Sequence, residues 1–278
     1  MRRGVSLASP YLAGLFLLVA LPVATATVLA FTEFSGVQPP RFTGLDNVRR
    51  LASDRALWRS VGNTTVYIVI AVPLRLAAAT GFALALQRHT KTASVARPVA
   101  YLPTVVPDVA YALLWLWLLN PLYGPVAALL GGAGILTEPW GARVALPVLG
   151  AFQIGEAFVV SLAARRSIPP SIYEAAAVDG ASPWFTFSRL TLPLMAPVLA
   201  LLALRDVILS LQVNFVPALL MTQGGPRYAT TYVPLYVYQT AFRYFRLGYA
   251  STIALTMFLL TVVIVFVQYR IARRWRSA

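Results

Sequence analysis

Six apolar runs, each long enough to cross the ~30 Å hydrocarbon core of a bilayer as a helix of about 20 residues, constrain this chain more than any other feature. They fall at about residues 7–31, 61–86, 98–119, 144–164, 194–221 and 247–269. Lipid offers no hydrogen bonds, so a run of this length satisfies its own backbone only as a helix. The expected fold is therefore all-α: a polytopic membrane protein with six transmembrane helices, residues 1–278 forming a single transmembrane domain. Composition agrees, with 59% hydrophobic and 12% charged residues and a mean hydropathy of +0.71, which excludes a soluble globular chain. The net charge of +14 would suggest nucleic acid in a soluble protein. Here the arginines flank apolar runs and end in Arg270, Arg273, Arg274 and Arg276, a pattern that reads as topology signals. The chain has no cysteine, so disulfides and thiolate metal sites are excluded.

The first run follows Arg2 and Arg3 and is longer than the 7–15 residues of a signal-peptide core, which makes it a retained anchor entering from the cytoplasm. Six crossings return the C-terminus to the same side. Both termini are then cytoplasmic. On this topology Arg2, Arg3, Arg88, Lys91, Arg97, Arg165, Arg166, Arg189 and the four C-terminal arginines lie inside. Arg41, Arg49, Arg50, Arg55, Arg59, Arg143, Arg227, Arg243 and Arg246 lie on the longer outer loops, a density bias of about twofold in the usual direction. The loop 32–60 is nevertheless basic and outside. His89, the only histidine, is expected in a solvated loop.

Between the fourth and fifth runs, residues 169–193 are too polar to span and too long for a simple turn. Pro169 and Pro170 stop the preceding helix, and Ser171 with Glu174 forms the Ser-x-x-Glu pattern of a capping box, so a short helix is expected from about Ile172. Asp179 and Gly180 end it, and Ser182 with Pro183 opens a second helix. A helix of about eight residues is below the length that is marginally stable alone, so tertiary or partner contacts must hold it. A surface helix that merely bridges two spans is the plainer alternative.

The spacing Glu174-Ala175-Ala176, three residues, Gly180, nine residues, Leu190, one residue, Leu192-Pro193 resembles the signature loop of binding-protein-dependent ABC importer permeases. Tyr101-Leu102-Pro103, Pro107, the run Trp115 to Pro121 and Tyr123-Gly124-Pro125 are similar to the third span and following loop of the carbohydrate branch, the maltose and glycerol-3-phosphate type. Thr222 to Pro226, Tyr238 to Phe242 and Leu247 to Ala250 resemble the outer loop before the last span of the first permease subunit in that branch. The resemblance implies a coupling helix that docks on a cytoplasmic ATPase through Glu174, Ala175, Ala176, Asp179, Gly180, Leu192 and Pro193. It also implies a second related permease, a dimeric ATPase that uses ATP and Mg, an extracytoplasmic solute-binding protein and a carbohydrate substrate, in a prokaryotic cytoplasmic (inner) membrane.

The chain itself carries no nucleotide loop: its only lysine, Lys91, follows no phosphate-cradling glycines. No catalytic or metal constellation is present, and no cofactor is expected in this chain. Charged groups inside spans tend to face protein or water. Arg75, Asp108, Glu156, Arg205 and Asp206 fall there, with Gln153, Gln212 and Asn214 as neutral companions. Sugars are held by planar polar groups and aromatic faces, so Gln212, Asn214 and Phe215, with Glu156 and Gln153, are the candidate substrate pathway. Snorkelling or structural pairing is the alternative for the charges. Arg205 and Asp206, about 100° apart on a helix, are not expected to face one cavity. The other aromatics read as interfacial anchors. An ion-coupled secondary transporter using Asp108, Glu156 and Asp206 is the alternative function, although no internal repeat supports it.

Overall fold

In the first apolar stretch almost every described side chain points away from the protein. The computed structural model describes residues 2–87, 90–129, 134–212 and 214–276. Arg88 and His89 lie outside them, as does Val213. The chain begins with α1 (Arg2–Leu15), a π-helical turn at Phe16–Ala20 and α2 (Leu21–Leu29). Phe16, Leu18 and Val28 are exposed. A water-soluble chain could not carry such a surface, but a bilayer covers it.

Residues 1–58 and 235–276 form one compact unit, and residues 59–234 the other. In the first, β1 (Thr32–Glu33) pairs antiparallel with β2 (Arg41–Phe42), and α3 (Asp46–Ser53) follows. Asn47 ties this hairpin to the end of α2 by donating its amide to the carbonyls of Ala30 (3.1 Å) and Thr32 (2.9 Å). The last helix of the chain, Leu247–Arg276, packs on α2. There Thr252 donates to the Ala30 carbonyl (2.7 Å), and the Gly248 amide donates to the Phe34 carbonyl (3.2 Å). Asp54 accepts from the hydroxyls of Tyr249 (2.6 Å) and Tyr236 (2.7 Å). Burial pushes its carboxyl up, but those hydroxyls and the Leu57 and Ala56 amides outweigh burial and hold it below 3.8. A depressed folded pKa means that this stabilisation is present above the unfolded value and is lost as pH falls through the lower, folded one.

The long helix α4 (Arg55–Ala85) leads into the second unit. It is followed by α5 (Lys91–Val105), α6 (Asp108–Leu118), α7 (Pro125–Leu129), α8 (Pro139–Ala151), α9 (Gly155–Arg166), α10 (Pro170–Val178) and α11 (Pro183–Phe185). Then come α12 (Leu192–Ser210), α13 (Phe215–Pro217), α14 (Val233–Tyr238) and the last helix, α15 (Leu247–Arg276). The core gathers Ala79, Ala83, Ile154, Ala157, Phe158, Leu162 and Leu202. Ala79, Ala83 and Ala157 are almost wholly buried, and such small residues let backbones approach closely where no water drives association.

Two of the six expected crossings are not single rods. Among the described residues Ser9–Leu29, Arg55–Ala85 and Leu247–Arg270 are long and apolar enough to span as single helices, and Pro183–Thr222 is so by length and composition although α12 ends within it at Ser210. At the third and fourth runs, α5 with α6, bent by 98°, and α8 with α9, bent by 50°, are long and apolar enough to span only as pairs. Pro107 explains the first break: it supplies no amide and disfavours helical geometry at Val106, whose ψ is 127°. Asp108, expected inside a span, therefore starts a half-helix. The fifth crossing also loosens after Ser210, where α12 gives way to α13 and a π-helical turn at Ala218–Thr222.

Gly248 has no room for a side chain, because a Cβ there would lie 2.0 Å from the Thr32 carbonyl oxygen. Gly248→Ala should destabilise the first unit by about 1–3 kcal/mol through overpacking. A lowered thermal midpoint of the detergent-solubilised protein checks it.

Candidate functional site

The segment after α9 shows how a few local rules build an exposed joint. Pro170 occupies the first turn of α10, where a missing amide costs nothing, and Pro169 is its cap residue. Ser171 therefore sits inside the helix, and the expected start at Ile172 and the Ser171–Glu174 capping box are not formed. The proline's preset φ wins over the serine as the start signal. The C-terminal end is as expected. Gly180 has φ +71°, its amide donates to the Ala177 carbonyl (3.1 Å), and the Ala181 amide donates to the Ala176 carbonyl (2.9 Å). Those two bonds are a Schellman motif, which favours glycine at this position. Ser182 then caps α11 by accepting from the Phe185 amide (3.2 Å), with Pro183 first in the helix.

Glu174, Ala175, Asp179 and Gly180 are exposed, and so are Leu192 and Pro193 at the start of α12. Ala176 differs: it is 8% exposed and turns inward. Exposed beside the polar residues are Val178 (88%), Trp184 (72%) and Phe185. Large exposed apolar side chains at a helix–turn–helix read as a contact surface. Among the described contacts neither Glu174 nor Asp179 has an ion-pair partner. One residue braces the joint. The Tyr173 hydroxyl is 3.2 Å from the Thr191 hydroxyl at the root of α12, and the Arg165 guanidinium at the end of α9 lies 4.0 Å from the Tyr173 ring centre. Both neighbouring spans are thus tied to α10.

Deeper in the second unit, polar side chains close the break in the fourth crossing. Arg75 donates from Nε (3.1 Å) and Nη2 (2.7 Å) to the Gly150 carbonyl, and the Tyr111 hydroxyl donates to the Leu149 carbonyl (2.8 Å). Thr104 accepts from the Gly155 amide (2.8 Å) at the head of α9. These are the groups that a helix leaves unpaired at its ends, satisfied from neighbouring spans. Arg75 also lies 3.7 Å from Asp206, which lies 3.5 Å from Arg205, and Arg205 pairs with Glu156. Asp206 is buried while Arg205 is half-exposed, as their angular separation requires. Only the length of the arginine side chain lets the two meet. The three carboxylates considered for an ion relay are not brought together as a free set, since Asp206 and Glu156 are held by arginines.

Asp206, Ser210 and Asn214 form a buried polar row at i, i+4 and i+8. The Asn214 amide donates to the Ser210 carbonyl (2.9 Å), while Asn214 Oδ1 and Ser210 Oγ have no hydrogen-bond partner. Gln212 is exposed and Phe215 half-buried, so the expected grouping of Gln212 with Asn214 and Phe215 does not share one face. Gln153 lines a different cavity, of about 20 Å³, with Tyr67, Asp108, Tyr111 and Trp115. That is room for one water, not for a solute. The i+4 spacing could have revealed Ser210 from sequence; Arg75 on Gly150 could not be foreseen, because no local pattern encodes a contact 75 residues away. Among the described residues no group of three metal-ligating side chains occurs.

Residues 76–277 match the family model described as binding-protein-dependent transport system inner membrane component. Similar proteins include the probable ABC transporter permease protein YesP of Bacillus subtilis, 31% identical over 98% of this chain and 91% of that one. Another is the lactose transport system permease protein LacF of Rhizobium radiobacter, 30% identical over 95% and 92%. A bacterial ABC transporter involved in import of the acidic polysaccharide alginate contains a chain of the same fold, with TM-score 0.82 and 24% identity over 97% of this chain and 94% of that one.

Removing Arg75 leaves the buried Asp206 with Arg205 as its one remaining ion-pair partner and takes two donors from the Gly150 carbonyl. Arg75→Met should cost about 3–5 kcal/mol, and Arg75→Met with Asp206→Leu should recover a large part. Thermal unfolding of the two variants in detergent checks this; equal midpoints for Arg75→Met and the parent would refute the clamp.

Proposed function

The chain belongs to the family of binding-protein-dependent transport system inner membrane components, and on that premise we propose that it is the permease subunit through which an ATP-driven importer moves a carbohydrate. The observation that carries the proposal is the exposed joint at Glu174–Gly180, braced by Tyr173 to the spans on either side.

In this reading the joint is the coupling helix. Glu174, Ala175, Asp179 and Gly180, with Val178 and Trp184 beside them, form the docking face for a cytoplasmic ATPase; Ala176 packs inward and sets the helix against the unit. Leu192 and Pro193 begin the span that receives the motion. The ATPase pair binds ATP and Mg, and its closure carries α10 with it. Tyr173 passes that displacement to Thr191 and so to α12, which carries Asp206 and Ser210 farther along the same rod and Asn214 just beyond its end. A second related permease completes the pathway, and a solute-binding protein delivers the substrate on the outer side. The chain acts as one transmembrane domain in the inner membrane with both termini cytoplasmic. Alternating access then follows from rigid-body movement that nucleotide occupancy biases.

The unpartnered oxygens of Ser210 and Asn214 suit the hydroxyls of a sugar, which can donate to each of them. The names of relatives, among them the lactose permease and a trehalose/maltose transport system permease of Thermococcus litoralis, support the carbohydrate class.

Two variants test the coupling. Gly180→Ile places a β-branched residue at φ +71°, at a cost of about 1–2 kcal/mol to the turn, and Glu174→Lys reverses a charge on the docking face. Both should insert normally while transport and co-purification of the ATPase fall at least tenfold. Full transport with the ATPase retained would overturn the assignment.

A further inference from the structure

The two helices that flank the joint, α9 and α12, are fastened to each other at both ends. At the joint, the Tyr173 hydroxyl meets Thr191 at the root of α12 (3.2 Å), and the Arg165 guanidinium of α9 lies over the Tyr173 ring (4.0 Å). At the far end Arg205 of α12 pairs with Glu156 in the first turn of α9. We propose that Glu156 and Arg205 are positioning residues, the far tie of a two-helix lever that carries displacement of the joint to the break between α8 and α9; the proposal rests on the importer reading.

The tie sits far from the joint. Thr191 to Arg205 spans roughly 21 Å of helix and Arg165 back to Glu156 roughly 14 Å, at 1.5 Å per residue. Between the two ends Phe158 and Leu162 of α9 share a core with Leu202 of α12, and Val198 and Leu199 pack against it. Beyond the tie neither helix is stiffened by its own continuation, because α9 begins at Gly155, just after the break, and α12 ends at Ser210. A pair joined only at the joint is free to splay there.

An ion pair as exposed as this one holds little when both long side chains must be ordered to form it. Arg205 is ordered beforehand. Its guanidinium lies 3.5 Å from Asp206, which Arg75 holds from α4 at 3.7 Å. Only Glu156 is left to fix, so the network gives this pair more hold than an isolated one. The head of α9 has a competing restraint, since its Gly155 amide donates to Thr104 of α5 (2.8 Å), a helix that does not adjoin the joint. Thr104 anchors the head where it is, and Arg205 is the bond by which α12 draws it along. Without Arg205 or Glu156 the head of α9 stays with α5 while α12 moves.

The chain contains no cysteine, so spin labels at Val159→Cys and Leu201→Cys, both exposed positions, mark α9 and α12 uniquely once the partner subunits are also freed of cysteine. The assembled complex with its ATPase, in nanodiscs, is measured by pulsed dipolar spectroscopy without nucleotide and with ATP, Mg and vanadate. In the parent the mean distance should be the same in both states. In Glu156→Met, Arg205→Met and the double variant, nucleotide should shift it by about 3 Å or more and equally in all three, since each change removes the same bond. A shift already present in the parent would overturn the proposal, and so would its absence from the variants. A distribution broadened alike with and without nucleotide would mark a contact that merely stabilises, and single shifts that add in the double variant would mark two independent roles; either result also overturns the tie. Those outcomes, obtained with the ATPase bound, sink the lever alone, whereas an ATPase that fails to co-purify with the parent sinks the importer reading and the lever with it.

Discussion

A helix that breaks inside a bilayer strands backbone groups where no water can reach them, and the architecture of the second unit is organised around meeting that demand. Around the interruption between α8 and α9 the Leu149 and Gly150 carbonyls, which accept from the Phe152 and Gln153 amides, gain further donors in Tyr111 and Arg75, and Thr104 supplies an acceptor for the Gly155 amide, from three neighbouring segments. Each unpaired group at this depth would cost several kcal/mol. The bend is therefore a property of five packed elements and not of α8 and α9 alone. Arg75 is the keystone, because the guanidinium that closes the break also neutralises Asp206.

That double role connects packing to electrostatics. Asp206 is buried between two guanidinium groups, and Arg205 carries the link on to Glu156. Glu156 and Arg205 are half-exposed, Glu156 at the head of α9 and Arg205 some thirteen residues into α12, which at 1.5 Å per residue is roughly 20 Å from the start of that helix. Charges at such depth do not face hydrocarbon. The face that bears them is turned toward protein or water in the assembled importer.

Much of this was legible in the sequence. The apolar runs coincide with four long helices and two bent helix pairs that are apolar enough to cross, and Gly180, Ser182 and Pro183 announced the joint between the fourth and fifth runs, because caps and turns obey local rules. Proline placement was harder to rank: Ser171 offered a cap, but Pro170 beside it opens the helix instead. Pro107 is visible in the sequence, yet whether a proline kinks a span or cuts it depends on what its neighbours can satisfy. The pathway was the least legible part. Neighbours in sequence such as Gln212 and Asn214 part company where α12 loosens, while Ser210 and Asn214, four apart, share a face. Contacts such as Arg75 with Gly150 are written only in the tertiary arrangement.

Val178, Trp184 and Phe185 have a meaning for the life of the molecule before it works. On the proposed topology they are the side chains that a folded but unassembled copy presents to water, in contrast to the exposed apolar surface of α2 and α15, which suits lipid. An orphan subunit thus carries its own mark of incompleteness, of the kind that chaperones and proteases act upon. Docking of the proposed ATPase on the joint would cover the same three side chains and so erase that mark.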